Sequence, residues 1–333
     1  MRDILISESI RGAAVDALCA RFDVLSAPDL WKDPASLKAQ IGEFRALMVR
    51  NQTPVTAEVL AAGQQLLVIG RAGVGLDNVD VKAARDAGIV VAWTPDQNAI
   101  SVAELALGMM ISLARFIPAA DGDTKGGNWN RNRFVGSELY GKTLGIVGAG
   151  KIGYLTAKRA QAFGMKIVAY DPYLSRDNIL LSELQAELTE IDELLERADI
   201  VSCHLPSPPA TTGFFDAKRF ARMKPSAFFI NTSRGTVVRE PDLIEALESG
   251  RIAGAALDVR AKEPPQTGKL EAMPNVILTP HVAAFTREAQ ERVTNAICHD
   301  IARVLDGKPA QNAVGAATPG AARLQKGEPC RAS

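Results

Sequence analysis

Thr143-Leu-Gly-Ile-Val-Gly-Ala-Gly-Lys-Ile-Gly153 decides the fold, because it joins a short apolar run to a glycine-rich turn and then to a helix. The run ending at Val147 reads as a buried parallel strand. Gly148, Ala149 and Gly150 let the chain turn tightly and carry backbone N–H groups up to a pyrophosphate at the helix N-terminus. Gly153 permits close approach of helix to sheet, and Gly153, Ala157, Ala160 and Gly164 read as a narrow helical stripe lying on it. Lys166–Tyr170 is the next strand. Asp171, 18 residues after Gly153, stands at its carboxyl end, where a carboxylate hydrogen-bonds an adenosine ribose. A glycine pattern of this kind is weak alone. Here strand, turn, helix, strand and acidic residue fall in register, which predicts a dinucleotide site with Gly148, Gly150, Lys151, Ile152 and Gly153 in its turn. The Asp171 carboxylate selects NAD over NADP, since it would repel a 2′-phosphate.

Upstream of this motif, short β-rich runs alternate with helical ones: 4–7, 22–25, 46–49, 66–69 and 89–92 read as strands, with helices such as 13–19 and 81–87 between them. The pattern predicts a first doubly wound parallel sheet complete by about Thr94. A helix over 101–116 follows, with Ser101 and Glu104 spaced as a capping box. Downstream, strands at 200–204, 227–231, 255–258 and 276–278 complete a second α/β unit. The last long helix, 286–305, repeats apolar residues at Ala289, Val293, Ile297, Ile301 and Val304. The expected architecture is α/β, with two doubly wound parallel-sheet domains, one Rossmann-like and one flavodoxin-like, and a cleft between them. Residues 1–98 plus 286–314 form a discontinuous substrate domain, 99–285 the cofactor domain, and 315–333 a loose tail.

Bulk properties narrow the function. The 333 residues carry 38 Lys and Arg against 38 Asp and Glu, spread without a basic stripe, which argues against nucleic acid and anionic membrane as partners. The N-terminus reads as a strand, and the longest nearly apolar run, Leu105–Ala114, is about half of a membrane span. Cys19, Cys203, Cys298 and Cys330 show neither metal-ligand nor disulfide spacing, so a cytoplasmic protein without a metal is expected.

Three strand ends deliver the residues that could do chemistry. Arg234 follows 227–231, Glu263 follows the strand ending at Asp258, and His281 follows 276–278; His299, inside the last helix, reads as structural. Moving a hydride to a carbonyl carbon leaves charge on the oxygen, which needs a proton donor titrating near neutrality, and imidazole is that donor. A carboxylate on the other ring nitrogen favours the imidazolium and fixes its orientation. Guanidinium holds a 2-oxo-carboxylate in a fork and polarises its carbonyl.

At this point the chain resembles a known family. Arg71-Ala-Gly-Val-Gly-Leu-Asp-Asn-Val-Asp80, Gly145–Gly153, His204-Leu-Pro206, Asn231-Thr-Ser-Arg-Gly235, Leu257-Asp-Val with Glu263-Pro, and Thr279-Pro-His281 are similar, in order, to the signatures of the D-2-hydroxyacid dehydrogenases. The resemblance runs from about residue 3 to about 314. It implies an NAD-dependent oxidoreductase acting on the CH–OH group, a homodimer, and catalytic roles for Arg234, Glu263 and His281. It places Asp258 near the nicotinamide amide, and His204, Leu205, Pro206, Thr211 and Thr232 along the cofactor. The branch resembled most is that of the D-3-phosphoglycerate dehydrogenases. That likeness puts Arg50 and Asn51 in a substrate loop, the N–H groups of Val74 and Gly75 on the substrate carboxylate, and Arg131, in a segment 129–134 that reaches across the dimer, on a distal phosphate. Two departures stand out: the regulatory extension of many such enzymes is expected to be missing, and Phe285 follows His281 closely. A sulfolactate-type or glyoxylate/hydroxypyruvate reductase-type activity therefore stays open. Formate dehydrogenation is disfavoured, because formate dehydrogenases carry glutamine where Glu263 stands. An NADH-sensing protein similar to the C-terminal-binding-protein corepressors is the alternative of another class.

Overall fold

The computed structural model describes residues 2–175, 178–207 and 209–324. They form two compact units, one built from both ends of the chain, up to Asn98 and from Thr286, and the other from Ala99–Phe285.

The first unit holds a five-stranded sheet of β1 (Arg2–Ile6), β2 (Val24–Ser26), β3 (Phe44–Val49), β4 (Val68–Arg71) and β5 (Val90–Ala92). Its order is β2-β1-β3-β4-β5, all parallel. Alternate residues serve two cores, as the pleat requires: Leu5, Leu47, Val49, Ile69 and Val91 on one face, Ile4, Ile6, Ala46, Met48, Val68 and Val90 on the other. The helix Arg287–Leu305 covers the second face with Val293, Ile297, Ile301 and Val304. Thr286 caps it, its hydroxyl oxygen accepting the N–H of Ala289 at 3.1 Å. Contact with β4 is close because position 70 is glycine; a Cβ there would lie 2.5 Å from Ile301 Cδ1.

The second unit holds a seven-stranded sheet of β6 (Thr143–Val147), β7 (Lys166–Tyr170), β8 (Glu187–Leu188), β9 (Ile200–Cys203), β10 (Phe228–Asn231), β11 (Gly254–Leu257) and β12 (Val276–Leu278). The order is β12-β11-β10-β9-β6-β7-β8, again all parallel. Strand order reverses between β6 and β9, the point where doubly wound sheets open a ligand crevice at their carboxyl ends.

Three local expectations are corrected. The long apolar helix starts at Ala99 and ends at Ala114, so Ser101 is buried inside its first turn and no capping box forms with Glu104, which pairs with Arg159 instead. Phe116, in the left-handed region at φ 54°, breaks the chain into a second helix, Ile117–Lys125. Gly164 lies beyond the helix Lys151–Ala162, at φ +72°, so the sheet-facing stripe is Gly153, Thr156, Ala157 and Ala160. The segment expected as a loose tail packs on the first unit as far as Arg323. There Gly320 donates to the carbonyl of Gly88, and the Arg323 guanidinium donates to the carbonyls of Ala87, Gly63, Gln64 and Leu66. The rest of that tail, with Cys330, lies outside the described residues. No single helix among the described residues is long and apolar enough to cross a membrane; Ala99–Ala114 and Ile117–Lys125 reach that length only as a pair bent by 62°.

Candidate active site

The glycine turn is built by close backbone approach. Gly148, at φ +92°, lies against the His204 carbonyl, where a Cβ would come within 3.0 Å. Gly153 sits under the turn, where a Cβ would meet the Gly148 oxygen at 2.2 Å. Gly150 is different, since a Cβ there would meet nothing within 4 Å. Open space therefore lies in front of the helix Lys151–Ala162, whose first N–H groups have no intrahelical acceptor. That combination fits a pyrophosphate. Lys151 is exposed and Ile152 half-buried at the start of this helix. Asp171 follows β7 and braces the turn, one carboxylate oxygen accepting the Ala149 N–H at 3.0 Å and the other the Tyr173 N–H at 2.9 Å. Sequence reading missed this bracing of the turn by Asp171.

Beside the turn, the end of β9 carries His204, whose N–H donates to the Val147 carbonyl at 2.8 Å. Its Nε2 lies 3.0 Å from the Ser202 hydroxyl, while Nδ1 is buried without a partner among the described residues. Burial pushes this imidazole down to about 4, so it is neutral at physiological pH although part of the residue still meets solvent. Leu205 is buried, Pro206 is exposed, and the Pro206 carbonyl accepts the Thr211 hydroxyl at 2.6 Å. Thr232 is buried after β10, its hydroxyl unpartnered among the described residues. The same strand end, β9, carries Cys203, which burial pushes up to about 11 and leaves as an inert thiol.

Arg234, Glu263 and His281 stand at the carboxyl ends of adjacent strands β10, β11 and β12. Asn231 shapes the first of these loops, accepting the Ser233 N–H and hydroxyl and donating to the Arg234 carbonyl at 2.9 Å. Asp258, 1% exposed, shapes the third. Its carboxylate accepts the Thr279 hydroxyl at 2.5 Å and the N–H groups of Val282 and Ala283 at 2.9 and 2.8 Å, and its carbonyl accepts the His281 N–H at 2.8 Å. These bonds hold His281 at φ 55°, a conformation a non-glycine residue adopts only when its surroundings enforce it. The His281 Nδ1 is then 2.6 Å from Glu263 Oε2, while Glu263 Oε1 accepts the Arg260 N–H at 3.0 Å. Burial raises the Glu263 carboxyl, but the His281 and Arg260 hydrogen bonds and the Arg234 charge outweigh it and hold the group below its ordinary value. An imidazole, a carboxylate and a guanidinium are thus assembled within one unit.

The other sequence-derived residues form a separate cluster on the first unit. Arg50 and Asn51 follow β3, Val74 and Gly75 follow the neighbouring β4, and Asn78 ties the two loops by donating to the carbonyls of Arg50 and Thr53 at 2.9 and 2.7 Å. Glu8, 1% exposed at the end of β1, organises the first loop. Its carboxylate accepts the N–H groups of Arg50, Gln52 and Thr53 and the Thr53 hydroxyl. Burial lowers the Arg50 guanidinium from its ordinary value, partly offset by Glu8, and the group donates to Gln290. Glu8 carried no motif in the sequence, its available signal being an acidic residue directly after an apolar strand; Asn78 lies within the signature run 71–80, where sequence reading assigned it no role. Arg131 lies in the exposed turn Arg131–Phe134 of the second unit, and no hydrogen bond or ion pair among the described residues joins it to Arg234, Glu263 or His281. Among the described residues, no group of three His, Cys, Asp or Glu side chains could hold a metal ion.

Comparison with known proteins bears on this arrangement. Residues 107–283 match the family model of the D-isomer specific 2-hydroxyacid dehydrogenase, NAD binding domain. The chain is 44% identical over 316 residues to a D-3-phosphoglycerate dehydrogenase of Synechocystis sp., an alignment covering 94% of this chain and 56% of that protein. It thus spans little more than half the length of such curated relatives. Among solved structures, the TT0316 protein of Thermus thermophilus superposes with a TM-score of 0.88 at 33% identity, over 94% of this chain and 99% of that one. A glyoxylate reductase from Paecilomyes thermophila superposes with a TM-score of 0.84 at 29% identity, over 94% and 98%.

Proposed function

This chain belongs to the D-isomer specific 2-hydroxyacid dehydrogenase family, with an NAD-binding domain as its second unit, and on that premise we propose that it interconverts a D-2-hydroxy acid and its 2-oxo acid. The observation that carries the reading is the 2.6 Å His281–Glu263 pair on the strand end next to Arg234. When bound, NAD supplies the hydride acceptor or donor. Gly148, Gly150, Lys151, Ile152 and Gly153 would hold its pyrophosphate, Asp171 its ribose, and His204, Leu205, Pro206, Thr211, Thr232 and Asp258 would line it. With Nδ1 turned to Glu263, the other ring nitrogen of His281 gives its proton to the carbonyl oxygen in reduction and takes it from the hydroxyl in oxidation. Glu263 holds the ring and stabilises the imidazolium; Arg234 forks onto the carboxylate and polarises the carbonyl. Arg50, Asn51, Val74 and Gly75, grouped on the first unit, are the further candidate substrate-binding residues.

The proposed substrate is 3-phosphoglycerate-like, supported by the Synechocystis relative's name and by Arg131, whose cation suits a distal anion. A simpler acid such as glyoxylate is the second reading, favoured by Phe285, a large side chain 57% exposed four residues after His281. A panel of 2-oxo acids with NADH and with NADPH tests both. Turnover with NADH and preference for a substrate with a second anionic group are expected; no turnover with any acid would move the reading to an NADH-sensing protein. A charge-assisted contact is worth about 1.5–3 kcal/mol, so Arg131→Ala should raise KM for the dianionic substrate roughly ten- to hundredfold and hardly change glyoxylate turnover. Equal effects on both would return the simpler acid.

We also propose a cytoplasmic homodimer. Ile100, Phe116, Ile117, Trp129, Val135 and Tyr140 are large apolar side chains left exposed along residues 100–140 of the second unit, and a partner copy would cover them. Light scattering at micromolar concentration should give twice the chain mass; a monomeric mass excludes this.

A further inference from the structure

Glu263 lies in an exposed stretch between β11 and the short helix Lys269–Ala272, where no regular hydrogen-bond ladder holds the chain. One side chain nonetheless ties that stretch down. The Arg260 guanidinium, 11% exposed, donates two hydrogen bonds to the Glu240 carboxylate at 3.2 and 3.1 Å and a third to Glu271. Both carboxylates also grip the loop backbone: Glu240 Oε1 accepts the Ala261 N–H at 2.6 Å, and Glu271 Oε2 accepts the Gly268 N–H at 2.8 Å. The segment carrying Glu263 is therefore held at both ends through one cation. The main chain of Arg260 reaches the site itself, its N–H on Glu263 Oε1 at 3.0 Å and its carbonyl against Gly235, the neighbour of Arg234, where a Cβ would lie within 1.9 Å.

From this geometry we propose that Arg260 is a positioning residue of the reaction, fixing Glu263 on His281 and the Arg234 loop beside them through the Glu240 and Glu271 carboxylates. The proposal rests on the dehydrogenase reading. Stability alone is a poor explanation for such a cluster, because desolvating one cation and two carboxylates offsets much of their attraction, and apolar replacements of similar volume are often neutral or better. What the guanidinium provides is direction: its planar fork engages two carboxylates at fixed angles, which an ammonium cannot reproduce. Burial lowers the Arg260 group and the two carboxylates more than compensate, so it stays charged throughout the working range. Among the described residues, the charged groups near the His281–Glu263 pair include Arg234 after β10, Asp258 after β11, Lys262 next to Glu263 in sequence, and Arg260 with its partners Glu240 and Glu271.

The test is a titration of His281, one of only three histidines, by NMR in the full-length protein with NADH bound, alongside kcat and KM for 2-oxo acid reduction against pH. Arg260→Met should lower kcat about tenfold, since a loosened Glu263 misplaces the imidazole, with KM and NADH affinity within about twofold. The His281 titration should move to lower pH, and Arg260→Lys should recover little of either effect. Glu271→Gln, which leaves the Glu240 fork in place, should show the same signs at smaller size and serves where Arg260→Met does not fold. A wild-type His281 midpoint retained in whichever of these variants folds overturns the proposal. Absence of 2-oxo acid turnover in the wild type would instead overturn the dehydrogenase reading, while the titration still reports on the Arg260 contact.

Discussion

His281→Ala would remove the proposed proton donor and should lower turnover by about 10²–10⁴-fold while NADH binding stays nearly intact. The imidazole is held for that one task, since its loop is shaped by Asp258 and its Nδ1 is committed to Glu263 at 2.6 Å. Glu263→Gln keeps a hydrogen-bonding group in place and removes the charge, so the imidazolium loses stabilisation and the ring gives up its proton at lower pH. Reduction needs the protonated ring, so its alkaline fall should shift to lower pH; oxidation needs the neutral ring, so its acid-side rise should shift the same way. Measuring kcat/KM against pH in both directions checks this. Profiles that stay where the wild type has them would mean that Glu263 does not act through His281.

Gly235→Ala is expected to be nearly as damaging although it touches no substrate. A Cβ at this position would lie 1.9 Å from the Arg260 carbonyl carbon and oxygen and 2.4 Å from the Ala261 nitrogen, all of them backbone atoms with no rotamer to yield. The loop bearing Arg234 and the loop bearing Glu263 must then part by more than an ångström, and misplacement on that scale lowers catalysis by about 10²-fold. Overpacking of this kind also destabilises a fold by about 1–3 kcal/mol, which a urea titration separates from the kinetic effect. A variant with kcat/KM within twofold of wild type would show that the two loops do not need their contact.

Much of this protein was written in short-range patterns. The glycine turn at 148–153 and Asp171 after the next strand are features of a short stretch of chain, as is the alternation that feeds both faces of each sheet, and local backbone physics makes them readable in order along the chain. Arg234, Glu263 and His281 were legible for a related reason: each follows a recognisable parallel strand, and parallel strands put their carboxyl ends on one edge. Helix boundaries were less secure. Ser101 looks like a cap by spacing, yet the apolar environment around Ala99 and Val102 starts the helix earlier and buries the serine inside it.

The sequence by itself determined the two parallel sheets, the dinucleotide turn and the identity of the catalytic candidates, because each depends on neighbours a few residues away. Only the tertiary structure decided how the loops bearing them are held. Glu8 accepts from the loop at 50–53, Asp258 accepts from the loop at 279–283, and Arg260, marked by neither motif nor periodicity, donates to Glu240 and Glu271. A buried polar group must find its partners wherever the fold brings them, and those partners lie about ten to more than forty residues away along the chain.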